Sequence, residues 1–140
     1  MINETTTGIA LQKDMHFVGT SETGLKIDMD SKPAGVQHEG LTPMELVLQA
    51  LGGCTGMDIA FILRKMKLEP EQLEVKVKGI KREEYPRIWT HINLTYRVKG
   101  DGITLRDLER AADLSQNKYC SVSAMLKEAV EISYKCELID

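Results

Sequence analysis

The stretch that most constrains the fold is TPMELVLQALGGCTGMDIAFILRKMK, Thr42 to Lys67. Thr42-Pro43 reads as a helix start, an N-cap residue followed by proline at the first helical position. Glu45 stands at the third helical position and completes a capping-box pattern with Thr42. Arg64, Lys65 and Lys67 mark the end, just before Pro70. Between these limits the apolar residues cover most of the helix surface, so the helix is expected to be buried on most sides. A monomer of 140 residues has difficulty enclosing such a helix. A second copy would cover it, and an intertwined homodimer is expected. The glycines raise a question. Gly52, Gly53 and Gly56 surround Cys54, and each costs roughly 1 kcal/mol against alanine in a helix interior. Either another backbone packs very close here, or the thiol needs open space.

The flanking segments read as strands and two further helices. TGIALQ, MHFVGT and LKIDMD form a meander with turns at Lys13-Asp14 and Thr23-Gly24. SKPAGVQHEGL, 31–41, reads as a loop. LEVKVKGIK and IWTHINLTYRV alternate as half-buried strands around the polar hairpin REEYPR. Thr104, with Asp107 three residues on, starts a helix running to about Lys118. Another helix starts near Cys120 or Ser121 and carries Val122, Met125, Leu126 and Ala129. Val130 to Ile139 closes as a strand. The order β-β-β-α-β-β-α-α-β implies the α+β class, an antiparallel sheet with helices on one side. The chain has no internal repeat and no linker, and 1–140 is expected to be a single domain.

Composition excludes several functions. Net charge is −3, and aromatics are 5% of residues. Neither a basic surface nor a base-stacking platform for nucleic acid is expected. No window approaches the ~20 apolar residues of a membrane span, and the N-terminus lacks the order of a signal peptide. Cys54, Cys120 and Cys136 are an odd number and widely spaced, which favours a reducing cytoplasm over a disulfide scaffold. No CxxC or histidine pair has zinc-ligand spacing, and no metal is expected.

Cys136, in SYKCEL, reads as a small buried hydrophobe. Cys54 differs because its glycines leave a sulfur reachable. Asp58, one turn on, lies on nearly the same face, and a carboxylate there raises a thiol pKa. Cys120 stands at a helix start, where the N-terminus favours the thiolate and lowers the pKa. A peroxide-reducing pair needs an accessible thiolate and a second thiol to condense with its sulfenic acid. The Cα atoms must come within about 7 Å to bond without large movement.

The run TPMELVLQALGGCTGMDIAFIL resembles the cysteine helix of the OsmC/Ohr superfamily, with Pro43 and Cys54 at the spacing of that family's helix start and first cysteine. KYCSVSAMLKEAVEISYKCE resembles the segment of the second cysteine. TPMEL, GGC, REEYPRIWTHINL and DLSQNKYCSV are similar to the YhfA-like branch. The resemblance implies an intertwined α+β homodimer, with antiparallel sheets around long central helices and two sites at the subunit interface. It implies that Cys54 is peroxidatic and Cys120 resolves it, with organic hydroperoxides as substrates. A thiol or dithiol supplies electrons, and neither metal nor flavin takes part. The glycines would then let paired helices pass closely.

Two departures from the peroxidase branches stand out. Met44 takes the place of a glutamate directly after the proline, and the acid, Glu45, comes one residue later. Nine residues of ideal helix, at ~100° each, put Glu45 and Cys54 on opposite faces. Glu45 is kept as a catalytic candidate beside its reading as a cap. No arginine precedes Arg64, so the thiolate-holding arginine of those branches is missing. Lys13, Lys26, Lys32, Arg87 and His91 are the substitutes, and none of the lysines offers a bidentate fork. The leading expectation is a thiol-dependent peroxidase working through Cys54 and Cys120. The alternative is a non-catalytic binding or redox-sensing module whose interface pocket is lined by Met44, Met57, Phe61 and Met125.

Overall fold

The computed structural model describes residues 3–140. The chain falls into two compact units, one up to Val47 and one from Leu48 to Asp140.

The first unit is built on an antiparallel meander of β1 (Thr7–Lys13), β2 (His16–Ser21) and β3 (Lys26–Met29). The turns fall where the sequence places them, with Asp14 and Gly24 at positive φ. The following loop is tied to the carboxylate of Asp30, which is buried. Its oxygens accept from the backbone N–H of Ser31 and of Glu39, and Lys32 pairs with it at 3.2 Å. Burial pushes this carboxyl up, but those donors outweigh it and hold the pKa below its ordinary value. Gly40 passes so close to the Asp28 backbone that a Cβ would sit 2.3 Å from its carbonyl oxygen. The meander leaves Ile9, Leu11, Leu25 and Ile27 exposed.

Helix α1, Pro43–Lys65, starts with the expected box. The Glu45 N–H donates to Thr42 Oγ1, and the Thr42 N–H donates to Glu45 Oε1, both at 3.1 Å. By length and mean hydropathy, 1.7 over its most apolar window, α1 does qualify as a candidate membrane span. The expectation that no window comes near is corrected on that point, because the glycines and Thr55 do not lower the average enough. Leu51, Ile59, Ile62 and Leu63 instead enter a packed protein core.

In the second unit, β4 (Gln72–Lys81), β5 (Trp89–Lys99) and β6 (Glu131–Leu138) form one sheet in that order. Alternation in β5 sends Ile92, Leu94, Tyr96 and Val98 to the core. Between β5 and β6 run α2 (Leu105–Leu114), a π-helical turn (Ser115–Tyr119) and α3 (Ser121–Leu126). Thr104 and Asp107 form the capping box of α2. The α+β class and element order hold, but β6 pairs with β5 in parallel, from His91↔Glu131 to Val98↔Leu138. The two helices supply the crossover that a parallel pair requires, so the sheet is mixed. The last helix is also shorter than expected, and Ala129 lies in the turn after it.

The glycines now have separate explanations. A Cβ on Gly52 would sit 2.9 Å from Val77 Cγ2, and one on Gly56 would sit 3.2 Å from Val75 Cγ2. Both let α1 lie closely on β4 of its own chain. Only Gly53, with nothing within 4 Å, faces outward.

Candidate functional site

Two elements of the second unit converge on one corner. Helix α1 contributes Cys54 and, one turn later, Asp58. The N-cap of α3 contributes Cys120. The two sulfurs and a carboxylate oxygen of Asp58 all lie within 4.8 Å of one another. All three cysteines of the chain are free thiols. Cys54 is half-buried and Cys120 is 3% exposed.

The π turn sets where Cys120 sits. Its N–H donates to the Ser115 carbonyl, five residues back, at 2.8 Å. Single π turns inside helices frequently mark functional sites. The same turn aims Ser115 Oγ at Asp58 Oδ2, 2.9 Å away. Gln116 ties the turn to the core, donating to the Tyr96 hydroxyl at 2.9 Å and accepting from Ser123 Oγ at 2.8 Å. The ammonium of Lys127 donates to the Gln116 carbonyl. The Ser123 N–H donates to Cys120 Sγ at 3.2 Å, so the sulfur itself caps α3. The buried Thr55 hydroxyl donates to the Leu51 carbonyl at 2.9 Å. A fully bonded buried network of this kind holds one geometry. Ser115, Gln116 and Tyr96 escaped the sequence reading. For Ser115 and Gln116 the only sequence signal is polarity beside a cysteine, in SQNKYC, and Tyr96 stands out only as an inward position of the alternating strand IWTHINLTYRV.

The electrostatics differ from the expected lowering at a helix start. Burial pushes the Cys120 thiol up to about 11, the Ser123 N–H opposes it, and Cys54 and Asp58 add to the rise. Helix α3 has six residues, too few for its dipole to offset the lost solvation. Cys136, on β6 opposite Tyr96, is likewise pushed up to about 11, by burial and by Glu109.

Other sequence candidates lie elsewhere. Glu45 is committed to the cap of α1 in the first unit. Lys32 is held by Asp30 and Glu39. Arg87 stacks on Tyr85 in the hairpin, and His91 pairs with Glu131 on the outer face of the sheet. Lys13 and Lys26 are exposed on the meander. Of the expected pocket residues, Met57, Phe61 and Met125 are more than half exposed. The cavity beside the site, about 550 Å³, is lined instead by Asp58, Phe61, Ile62, Lys65, Met66, Arg110, Leu114 and Tyr119.

A long glycine-bearing cysteine helix, a second thiol brought beside the first, and paired α+β elements define an OsmC-type protein. The family model described as OsmC-like protein matches residues 36–135, and the chain belongs to that family. It is 42% identical to Protein YhfA of Escherichia coli (strain K12) over 123 residues, 88% of this chain and 90% of that one. A crystal structure of a hypothetical protein from Aquifex aeolicus VF5 superposes with a TM-score of 0.80 at 30% identity, covering 99% of this chain and 100% of the other. The organic hydroperoxide resistance protein OsmC of Legionella pneumophila shares the fold, with a TM-score of 0.71 over 98% of each chain, at 14% identity.

Proposed function

We propose that this protein is a thiol-dependent peroxidase that reduces organic hydroperoxides through Cys54 and Cys120. The observation that carries the reading is the approach of the two sulfurs to within 4.8 Å on a bonded frame. The more accessible Cys54 loses its proton and attacks the outer oxygen of ROOH. The O–O bond breaks, ROH leaves after taking up a proton, and Cys54 becomes a sulfenic acid. The Cys120 sulfur then attacks Cys54 and releases water, giving a disulfide. A dithiol or two small thiols return both residues to the reduced state. The apolar wall of Phe61, Ile62, Met66 and Leu114 suits the organic part of the peroxide. Glu45 contributes as the cap that fixes the start of α1. No cofactor takes part in these steps.

The active form in this reading is a homodimer of single OsmC-like domains, 1–140, working in the reducing cytoplasm. The outward stripe of Gly53, Met57 and Phe61 on α1 supports a second copy, since Met57 is 75% and Phe61 62% exposed. The coverage of the Aquifex structure supports a single domain.

The test is intact mass under denaturing, alkylating conditions after one equivalent of cumene hydroperoxide. Rapid loss of two hydrogens with both alkylation sites gone is expected, and full alkylation after exposure would sink the reading. A second reading, a binding or redox-sensing module without turnover, is favoured by the raised Cys120 thiol and by the 550 Å³ cavity that Asp58 lines. Saturable binding of an apolar ligand with no peroxide consumption would select it.

A further inference from the structure

The geometry points to a site for a thiophilic divalent cation of the zinc type, held by Cys54 Sγ, Cys120 Sγ and an Asp58 carboxylate oxygen. The inference is independent of the peroxidase reading, although it uses the same sulfurs. Three potential ligand atoms from two elements already lie within 4.8 Å of one another. Tetrahedral zinc binds sulfur at about 2.3 Å and carboxylate oxygen at about 2.0–2.2 Å, so its ligands sit roughly 3.4–3.8 Å apart. Side-chain rotations of about 1 Å would close the difference.

The surroundings suit a metal better than they suit free thiolates. Asp58 lies beside both sulfurs and has no ion pair among the described residues. Two of the three ligands already carry outer partners. Ser115 Oγ donates to Asp58 Oδ2 and the Ser123 N–H donates to Cys120 Sγ. Partners of that kind orient metal ligands and tune their basicity. Two soft sulfurs with one carboxylate select Zn²⁺ over Mg²⁺ or Ca²⁺, which take oxygen donors. The half-buried position of Cys54 leaves the fourth coordination place to water.

Binding is a proton exchange in which nothing is oxidised. One M²⁺ displaces two protons from the two thiols and takes the carboxylate as it stands. Occupation ties up both sulfurs, so the metal would block disulfide formation.

The test is an anaerobic titration of the fully reduced protein with Co²⁺, then displacement by Zn²⁺. Expected are one Co²⁺ per chain, a thiolate-to-cobalt charge-transfer band, tetrahedral d–d absorption and release of about two protons per metal. Cys54→Ser and Cys120→Ser should each remove roughly half the charge-transfer intensity and weaken binding at least 100-fold. Asp58→Asn should weaken it at least 10-fold, and Ser115→Ala about 10-fold, by freeing the carboxylate to turn. Cys136→Ser should change nothing. Circular dichroism of each variant checks folding, with Cys→Ala as the replacement wherever serine unfolds the chain. Absence of the band, its survival at full intensity in Cys120→Ser, its loss in Cys136→Ser, or unchanged affinity in Asp58→Asn would each overturn the site. Peroxide consumption is assayed separately on metal-free protein. Turnover without metal binding then sinks only this inference, and metal binding without turnover sinks only the peroxidase.

Discussion

Cys120 and Cys136 are two thiols of the same core, both pushed up to about 11 chiefly by burial. Proton affinity alone does not tell them apart. Their neighbours do. Cys136 stands on a regular strand, and the charged group that bears on it is Glu109. Cys120 stands where a π turn meets a short helix, with a sulfur, a carboxylate and a backbone N–H around its own sulfur. A buried thiol becomes a chemical group when the fold places a second reactive atom beside it. The irregular backbone before Cys120 is the device that does this.

The sharpest way to break the comparison is a serine scan. Cys54→Ser and Cys120→Ser should abolish the peroxide-driven loss of two hydrogens, while Cys136→Ser leaves it at the wild-type rate. Equal loss in Cys136→Ser, read by intact mass, would erase the distinction. Next in size is the seating of α1 on β4. Gly52→Ala drives a Cβ to 2.9 Å from the stiff Val77 side chain. Such overpacking should cost about 1–3 kcal/mol in urea unfolding and slow disulfide formation by displacing Cys54. The accessibility of Cys136 to alkylation should not change.

Much of this was legible in the sequence. The capping boxes at Thr42/Glu45 and Thr104/Asp107 and the alternation of β5 are local signals, and local signals survive folding. The quoted cysteine segments carried the family. What failed is non-local. The parallel pairing of β6 depends on where the crossover helices lead, which the alternation of EISYKCEL does not encode. Asp58 was visible as the residue one turn after Cys54, but Ser115 is 57 residues away along the chain. The direction of the Cys120 pKa was missed because capping position is local and burial is not.

Alkaline stability sharpens the comparison further by treating both thiols alike. Each has a folded pKa near 11 against an ordinary 9.0. In that window the folded state keeps protons that the unfolded chain releases. The stability they contribute is therefore full below about pH 9 and is lost as pH rises through about 11. Tyr96 and Tyr134, also raised by burial, act with the same sign. Reduced protein should show a falling urea midpoint across that window. Cys120→Ser and Cys136→Ser should each make the fall shallower, by similar amounts. A slope unchanged by either substitution would mean that the thiols ionise without regard to folding.

The smallest effect separates the two thiols by their neighbours alone, through the pH dependence of alkylation at each site. Cys54 raises the Cys120 pKa by a hydrogen bond and by charge, and Asp58 raises it by charge, as the weakest of the named influences. Cys54→Ser should shift the Cys120 midpoint down, and Asp58→Asn should shift it down by less, a fraction of a pH unit. Neither should move Cys136, which should respond to Glu109→Gln instead. A double substitution at Cys54 and Asp58 leaves burial as the dominant cause, so the Cys120 midpoint should stay above the ordinary thiol value. If it instead fell to that value, the neighbours rather than burial would set the proton affinity of Cys120, and its likeness to Cys136 would be a coincidence of two different causes.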